Sequence, residues 1–518
     1  MSFTSENFTS DQQKAFSMLT SGKNVFLTGE AGTGKTWLIS QFISYLKKNH
    51  IKYIVCAPTG VAAVKAGGAT LHRTFHIPTH YIDKSEYKKI KSIPAVKAAD
   101  TIIIDEVSMC RSDVFDFVMK SVDYQCSHKS RGGERPFCQG KQIVVVGDFF
   151  QLPPVITKAE KKFFGDSKGF AFEGDTWDRC QFQLAYLHEI VRQKDAEMTD
   201  ALNKARVGDV SCLNFFNAHV EEPDEDAPTV CTMNREAEEI NEMRLNDIPG
   251  EEYVFHARYT GTAAEKDFPG VDRLAVKEGA RVISLTNDPE GRFVNGTLGT
   301  VIEADDSISD KDDYVLVKWD NGHETKISRK AWSQIKYEVV KKEKSVVDEK
   351  TGTVKTVEEK EIEHEVVGEV SQIPLRLAYA ITVHKSQGQT YQKANIALSY
   401  VFADGQAYVA LSRCADPQGM RLKNCLMPQS LKASREVVRF YEEEEEKQKR
   451  RESAVAKSSL EEKTEEKIAE EESETLSVSR SAADEIRSFA EKNRMTVSDA
   501  IHMAIAGLRV QTEKKNAY

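Results

Sequence analysis

Apolar positions along the chain follow two rhythms. In the first part, short apolar runs of buried-strand type recur: Val25 to Leu27, KYIVC ending at Cys56, Thr101 to Ile104, and KQIVVVG ending at Gly147. Helix-like stretches such as TWLISQFISYLKK lie between them, and a helix capped at Ser10 or Asp11 precedes the first run. Such strands joined by crossover helices predict a parallel sheet. From Val271 to Gln372 the rhythm shortens. GARVISLTND, NGTLGTVIEAD and DYVLVKWDNGHETKI are brief strands with Asn-Gly and Gly turns, which predict a small β-barrel. Ser345 to Val366 alternates around Thr351–Gly352 and predicts a polar ribbon projecting into solvent. His76 to Asp100, Lys-rich with two prolines, reads as a short insertion on the sheet rather than as core.

Past Tyr441 the pattern changes again. Glu442 to Glu474 is charged, lacks aromatics and reads as a solvated helix or a linker. Beyond it, Leu476 and Val478 alternate with Ser477 and Ser479. Two amphipathic helices follow, one presenting Ile486, Phe489 and Ala490, the other Val497, Ile501, Ala504, Ile505 and Leu508, with Ser498 in a cap.

A chain of 518 residues predicts three or four domains. No run of eighteen apolar residues is present, so no membrane span is expected. MSFTSENFTSDQQ carries no secretory pattern, and the nine cysteines lack C-x-x-C pairs, so reduced thiols in an intracellular protein are expected, cytoplasmic in a bacterium or phage and nuclear or mitochondrial in a eukaryote. A metal site at Cys126, His128 and Cys138 is the less favoured reading. The net charge of −10 argues against a uniformly basic nucleic-acid binder. However, Glu442 to Glu474 holds 14 Glu against 7 Lys plus Arg, so −7 of the −10 lies there and the rest can still carry a basic channel.

The chemistry concentrates at Asn24 to Thr36, NVFLTGEAGTGKT. Strand, G-x-x-x-x-G-K-T and helix in that order predict a polyphosphate cradle. Gly29, Gly32, Thr33 and Gly34 would present backbone amides to ATP. Lys35 would sit on the β/γ-phosphates, and Thr36 would hold Mg²⁺ through its hydroxyl. Asp105 and Glu106 end a strand, where the first would reach the Mg²⁺ shell and the second would deprotonate the attacking water. Gln151 in GDFFQLPPV is placed to read the γ-phosphate. Gln12 is either a plain helix residue or an amide pairing with the adenine edge. Thr59, Gly60, His72 and Phe75, in loops at the carboxyl edge of the sheet, suit a single strand of DNA, with Phe149 and Pro153 able to abut a base. Ordinary loop and core packing would use the same residues.

FTSDQQ, GEAGTGKT, APTGVAA, TLHRTF, IIIDEVSM, VVGDFFQLPPV, LHEIVRQKD, AYAITVHKSQGQT and AYVALSR run in this order from Phe8 to Arg413. In this the chain resembles the Pif-one (petite integration frequency) family of superfamily 1 DNA helicases, the 5′-to-3′ branch, with RecD and Dda as more distant relatives. The segment Ser121 to Gly140 departs from the family by being longer. The resemblance implies an α/β fold with two RecA-like parallel-sheet domains, an inserted SH3-like β-barrel and a helical C-terminal extension. The boundaries it implies are 1–185 for the first RecA-like domain, with 76–100 as a strand-parting wedge. The second RecA-like domain takes 186–270 and 373–440, the barrel 271–372, an acidic linker 441–474 and a ribbon-helix-helix-like unit 475–510. It further implies that Arg192 and Arg413 reach the γ-phosphate from the second lobe. His384, Lys385 and Ser386 would grip the DNA backbone, while Gly388 and Gln389 would turn toward the nucleotide.

The expected function is ATP-driven, Mg²⁺-dependent 5′-to-3′ translocation on single-stranded DNA and unwinding of forked DNA, serving replication, repair, recombination or telomere maintenance. Two alternatives stand beside it: a translocase that displaces proteins without unwinding, and a DNA-binding regulator with an auxiliary ATPase. The unit at 475–510 is expected either to self-associate on DNA, as ribbon-helix-helix proteins do, or to be a two-helix tail packed on the body.

Overall fold

The computed structural model describes residues 8–78, 80–126, 136–191, 195–264, 268–306, 313–347, 354–451, 453, 480–493, 495–497 and 499–503, without the side chains of 343–360 and 480–481. The chain divides into two compact units, 1–444 and 445–518.

The first unit opens with helix α1 (Ser10–Thr20), whose cap is Thr9, one residue earlier than expected. The Thr9 hydroxyl accepts the Gln12 amide while the Gln12 side chain accepts from the Thr9 amide, a reciprocal capping box. A six-stranded parallel sheet follows in the order β3-β2-β4-β5-β1-β6. Its strands are β1 (Val25–Gly29), β2 (Tyr53–Ala57), β3 (Ala69–Thr70), β4 (Thr101–Ile104), β5 (Gln142–Val146) and β6 (Gln183–Leu187). β1, β4 and β5 are buried along their whole length, as a parallel sheet covered on both faces requires. Phe26, Ile102 and Val145 face one core, and Val25, Leu27, Leu38 and Phe42 face the other. Helices α2 (Lys35–Lys48) and α3 (Gly60–Lys65) leave the carboxyl edge of this sheet. Because β6 runs to Leu187 and pairs with β1, the first lobe extends past the boundary expected at 185.

The second lobe is a smaller parallel sheet of Thr229–Cys231, Ala380–Thr382, Ala394–Ala397 and Met420–Leu422. The helix Ala196–Arg206 packs Met198, Ala201, Leu202 and Ala205 into its core. Between these segments lies a five-stranded antiparallel sheet: Arg281–Ser284, Leu298–Asp305, Tyr314–Trp319, Glu324–Ser328 and Leu375–Leu377. Its core also takes Leu245, Phe255 and Leu274, and Tyr253–His256 pairs with Arg273–Val276. The insertion is therefore wider than 271–372 at both ends, since pairing partners lie outside those limits.

Three expectations about exposed segments change. The 76–100 insertion is not a surface appendage, because Ile77, Ile82, Ile93, Ala95 and Val96 are buried in the first-lobe core. The ribbon expected at 345–366 is the outer part of a longer hairpin, Lys330–Val347 with Val354–Gln372; Thr351–Gly352 lie outside the described residues, and the base of the hairpin is docked. Tyr337 is buried there, its hydroxyl accepting from the Val55 amide and donating to the Val55 carbonyl, and Ile335 and Ile362 pack on the same core. The acidic linker expected from 441 begins inside a helix that starts at residue 435 and carries Val437, Phe440 and Tyr441 into the first-lobe core.

Of the second unit, the helix Arg480–Lys492 and a helical segment ending at 503 are described, with Ala490 and Ala500 buried and Phe489, Val497 and Ile501 exposed. The strand expected at Leu476–Val478, Ser498, and Ala504, Ile505 and Leu508 lie outside the described residues. Among the described residues no helix is long and apolar enough to cross a membrane, and no group of metal-ligating side chains forms. His128 lies outside them. The Cys126 thiol donates to the Val122 carbonyl and the Cys138 thiol to the Met119 carbonyl.

Candidate active site

The loop after β1 turns on glycines because the backbone there is left-handed: φ is 145° at Gly29, 91° at Gly32 and 83° at Gly34. A Cβ on Gly29 would lie 2.2 Å from the Leu187 carbonyl oxygen, so β6 allows no side chain at that position. Gln12 braces the loop from below, its Nε2 donating to the Thr33 carbonyl at 3.0 Å. With its oxygen spent on the Thr9 amide, the Gln12 carboxamide is a structural brace here, and this arrangement does not present both its groups to adenine. Lys35 folds back onto the loop, donating to the carbonyls of Gly29 (2.8 Å) and Glu30 (2.9 Å). Burial pulls its pKa below the usual lysine value, with Asp148 opposing that pull.

These residues border a cavity of about 270 Å³, which Lys35, Thr36, Asp105, Glu106, Asp148 and Gln151 line from the first lobe and Gly388 and Arg413 from the second. The Asp105 carboxyl is pushed up to about 7, first by burial and then by the neighbouring Glu106. Glu106 takes a left-handed conformation (φ 52°), and its amide donates to Asp105 at 2.9 Å. Two hard oxygens, the Thr36 hydroxyl and the Asp105 carboxylate, on one cavity wall suit Mg²⁺, which binds through one or two protein oxygens together with substrate phosphates. A divalent cation there would also relieve the buried carboxylate.

The second lobe arrives differently from the expectation. Gln389 is not among the residues lining the cavity: its side-chain oxygen accepts from the Tyr391 hydroxyl instead. Gln387 takes the place expected for it, its Nε2 donating to Glu106 at 3.1 Å and approaching the Gln151 oxygen at 3.4 Å. Arg413 borders the cavity, yet its guanidinium donates to the carbonyls of Val409, Ser386 and Gln389 and to the Ser412 hydroxyl. Arg192 lies outside the described residues; the preceding Val191 amide donates to the Gly32 carbonyl. Four further groups at the site went unread in the sequence. Lys65 lines the cavity and donates to the Gly388 carbonyl at 3.4 Å. The Tyr408 hydroxyl accepts the Ala31 amide at 2.7 Å, and Arg206 pairs with Asp148.

The DNA candidates divide. Thr59 caps α3 by accepting the Ala62 amide, with Gly60 beside it half-buried. His72 and Pro153 are half-buried and Lys385 is exposed. Phe75 is excluded from base stacking, being buried in the first core. Phe149 is excluded likewise, enclosed by Phe26, Phe172 and Phe440 at centroid distances of 5.5, 4.9 and 5.4 Å. Ser386 is buried and donates to the Val383 carbonyl, so its hydroxyl is not offered to a phosphate. Exposed rings lie instead at Tyr400 and Phe402, the latter stacked on His384, whose pKa burial lowers. No sequence motif marked Tyr400 or Phe402; only their place before the GQAYVALSR helix could have drawn attention to them.

A family model described as PIF1-like helicase matches residues 7–213. The chain is 32% identical over 448 residues to the ATP-dependent DNA helicase Pif1 of Bdellovibrio bacteriovorus, covering 83% of this chain and 91% of that protein. It is 27% identical to the Pif1 helicase of Campylobacter jejuni, covering 81% of this chain and 94% of that protein. A crystal structure of Bacteroides sp Pif1 in complex with ADP-AlF4 superposes with a TM-score of 0.71 at 32% identity, over 85% of this chain and 97% of that one. Bacteroides Pif1 bound to ssDNA gives 0.55 at 30% identity, over 84% and 96%. Motif order, the two parallel sheets around one cavity and these likenesses agree, and the chain belongs to the Pif1 helicase family.

Proposed function

We propose that this protein is an ATP-dependent DNA helicase that moves 5′-to-3′ along single-stranded DNA and unwinds forked duplex ahead of it. One observation carries this reading: a single cavity takes Lys35, Thr36, Asp105 and Glu106 from one parallel-sheet lobe and Gly388 and Arg413 from the other. A nucleotide held there is a bond between lobes, and its hydrolysis releases that bond.

In this reading Lys35 leaves the Gly29 and Glu30 carbonyls for the β/γ-phosphates. Thr36 and Asp105 would hold Mg²⁺, which would supply charge neutralisation at the phosphates. Glu106 takes the proton of the attacking water, with Gln387 fixing its carboxylate and Gln151 facing the terminal phosphate. Arg413 would exchange its Ser386 and Gln389 carbonyls for the γ-phosphate on closure, the same loop that carries His384 and Lys385. DNA grip and nucleotide state would then move together, with Tyr400 and Phe402 available for base stacking. Self-association through 475–510 belongs to this proposal as a separate element.

The test is unwinding of duplexes bearing only a 5′ or only a 3′ tail, beside DNA-stimulated ATPase. Strand separation confined to the 5′-tailed substrate is expected. ATP turnover without separation of either substrate would replace the helicase with a translocase.

A further inference from the structure

Arg206 is the last residue of the helix Ala196–Arg206, which fixes Met198, Ala201, Leu202 and Ala205 in the second-lobe core. The side-chain hydrogen-bond partners of its guanidinium belong to the first lobe, as do two of the three rings it faces, and the third, Tyr441, is packed into that lobe's core. The guanidinium donates to Asp148 at 2.8 and 3.3 Å and to the Tyr186 hydroxyl at 2.7 Å. It lies 4.2 Å from the Phe150 ring centroid and 5.4 Å from that of Tyr441. Arg206 and Asp148 are both buried.

A buried ion pair gains little net stability, because desolvation offsets the attraction. This one touches two parts of the nucleotide site. Asp148 starts the tight turn that carries Gln151: its carboxylate accepts the Phe150 amide at 3.1 Å and its carbonyl accepts the Gln151 amide at 2.9 Å. Tyr186 passes the contact to the phosphate loop by donating to Glu30 Oε1 at 3.1 Å, while Glu30 Oε2 is buried without a partner. Asp148 and Arg206 also act in opposite senses on the Lys35 ammonium. With Arg206 withdrawn, the Asp148 carboxylate would stay in the cavity unpaired, competing with phosphate for Lys35.

We propose that Arg206 is a positioning residue of the ATPase, through which docking of the second lobe sets the Asp148–Gln151 turn and the phosphate loop for hydrolysis. This rests on the reading of the cavity as the ATP site, goes beyond the arginines expected to touch phosphate, and involves no contact of Arg206 with the nucleotide.

The test uses the full chain at saturating single-stranded oligonucleotide, at a temperature where circular dichroism shows each variant folded. Arg206→Lys keeps the charge and loses the fork; kcat should fall about tenfold with KM for ATP changed less than about threefold. Arg206→Met should lower kcat further and raise KM, because Asp148 is left bare. Adding Asp148→Asn to Arg206→Met should return KM toward wild type and leave kcat low. Should Arg206→Met not fold, Arg206→Lys and Tyr186→Phe, expected to lose about threefold in kcat, carry the test. Turnover per folded molecule within about twofold of wild type in the lysine and phenylalanine variants, or a rise in KM alone, would overturn the proposal. Lys35→Ala runs in parallel. If it retains turnover, the reading of the cavity itself fails; if it is dead while the Arg206 variants are active, only this inference fails.

Discussion

The two lobes meet at one cavity with unlike degrees of readiness. The first lobe holds its groups in place before any ligand arrives: Lys35 waits on two loop carbonyls, and Asp105 and Glu106 share the cavity wall. The second lobe holds Arg413 back, its donors occupied by its own carbonyls, and touches the first through Tyr408, Gln387 and Arg206. On the proposed reading, nucleotide would be bound by one lobe alone, while hydrolysis would need the other to rearrange. Such a division makes turnover depend on domain motion, as a motor requires.

The largest effect that would break this contrast is at Lys35. Lys35→Ala, and separately Glu106→Gln, should reduce ATP turnover by about 10³-fold or more while single-strand affinity measured by fluorescence anisotropy stays near wild type. Next comes the exchange of glutamines. Gln387→Ala should lower kcat about tenfold, whereas Gln389→Ala should change it less than about threefold, a difference that steady-state ATPase resolves. The reverse order would mean that the loop turns over when nucleotide binds.

The electrostatics of the first lobe give a third, smaller handle. In the folded protein Asp105 titrates at about 7, above its ordinary value near 3.8, so folding favours its protonated form. That contribution to stability is present below the ordinary value and is lost as pH rises through about 7 in the nucleotide-free protein. Mg²⁺ needs the ionised form, so Mg-ADP affinity by calorimetry should weaken about tenfold per pH unit below 7, with proton release. Glu106→Gln should shift that transition to lower pH. The smallest effect is at Tyr337→Phe, which removes two hydrogen bonds to Val55 and should cost about 1–2 kcal/mol of stability with ATPase retained.

Legibility followed sequence contiguity. The phosphate loop, the Asp105–Glu106 pair and Gln151 lie in runs where strand, turn and helix sit side by side, so their meeting at one cavity is legible from order alone. Phe75 and Phe149 were misread because an aromatic residue beside a motif looks the same whether it faces solvent or core; only the packing of Phe172 and Phe440 distinguishes them. Gln387 and Gln389 differ by two positions in one loop, and which of them points inward depends on the fold of that loop. Arg206 reads as a basic residue in the last turn of a surface helix, and nothing local announces Asp148, 58 residues away. The 76–100 insertion and the base of the hairpin look polar because their apolar residues are sparse, yet a few well-placed side chains such as Ile93 and Tyr337 suffice to dock them.

Tyr441 gives this layout a mechanical meaning. Its hydroxyl meets Thr28 at 2.7 Å and the Phe149 amide at 3.2 Å, and its ring lies on Phe150. The polypeptide thus leaves the first body at Leu187 and is moored to it again at Tyr441. The stretch between is tied to that body at both of its chain ends, with the Tyr337 hairpin as a further hold, so it is tethered rather than hung from a single strand of chain.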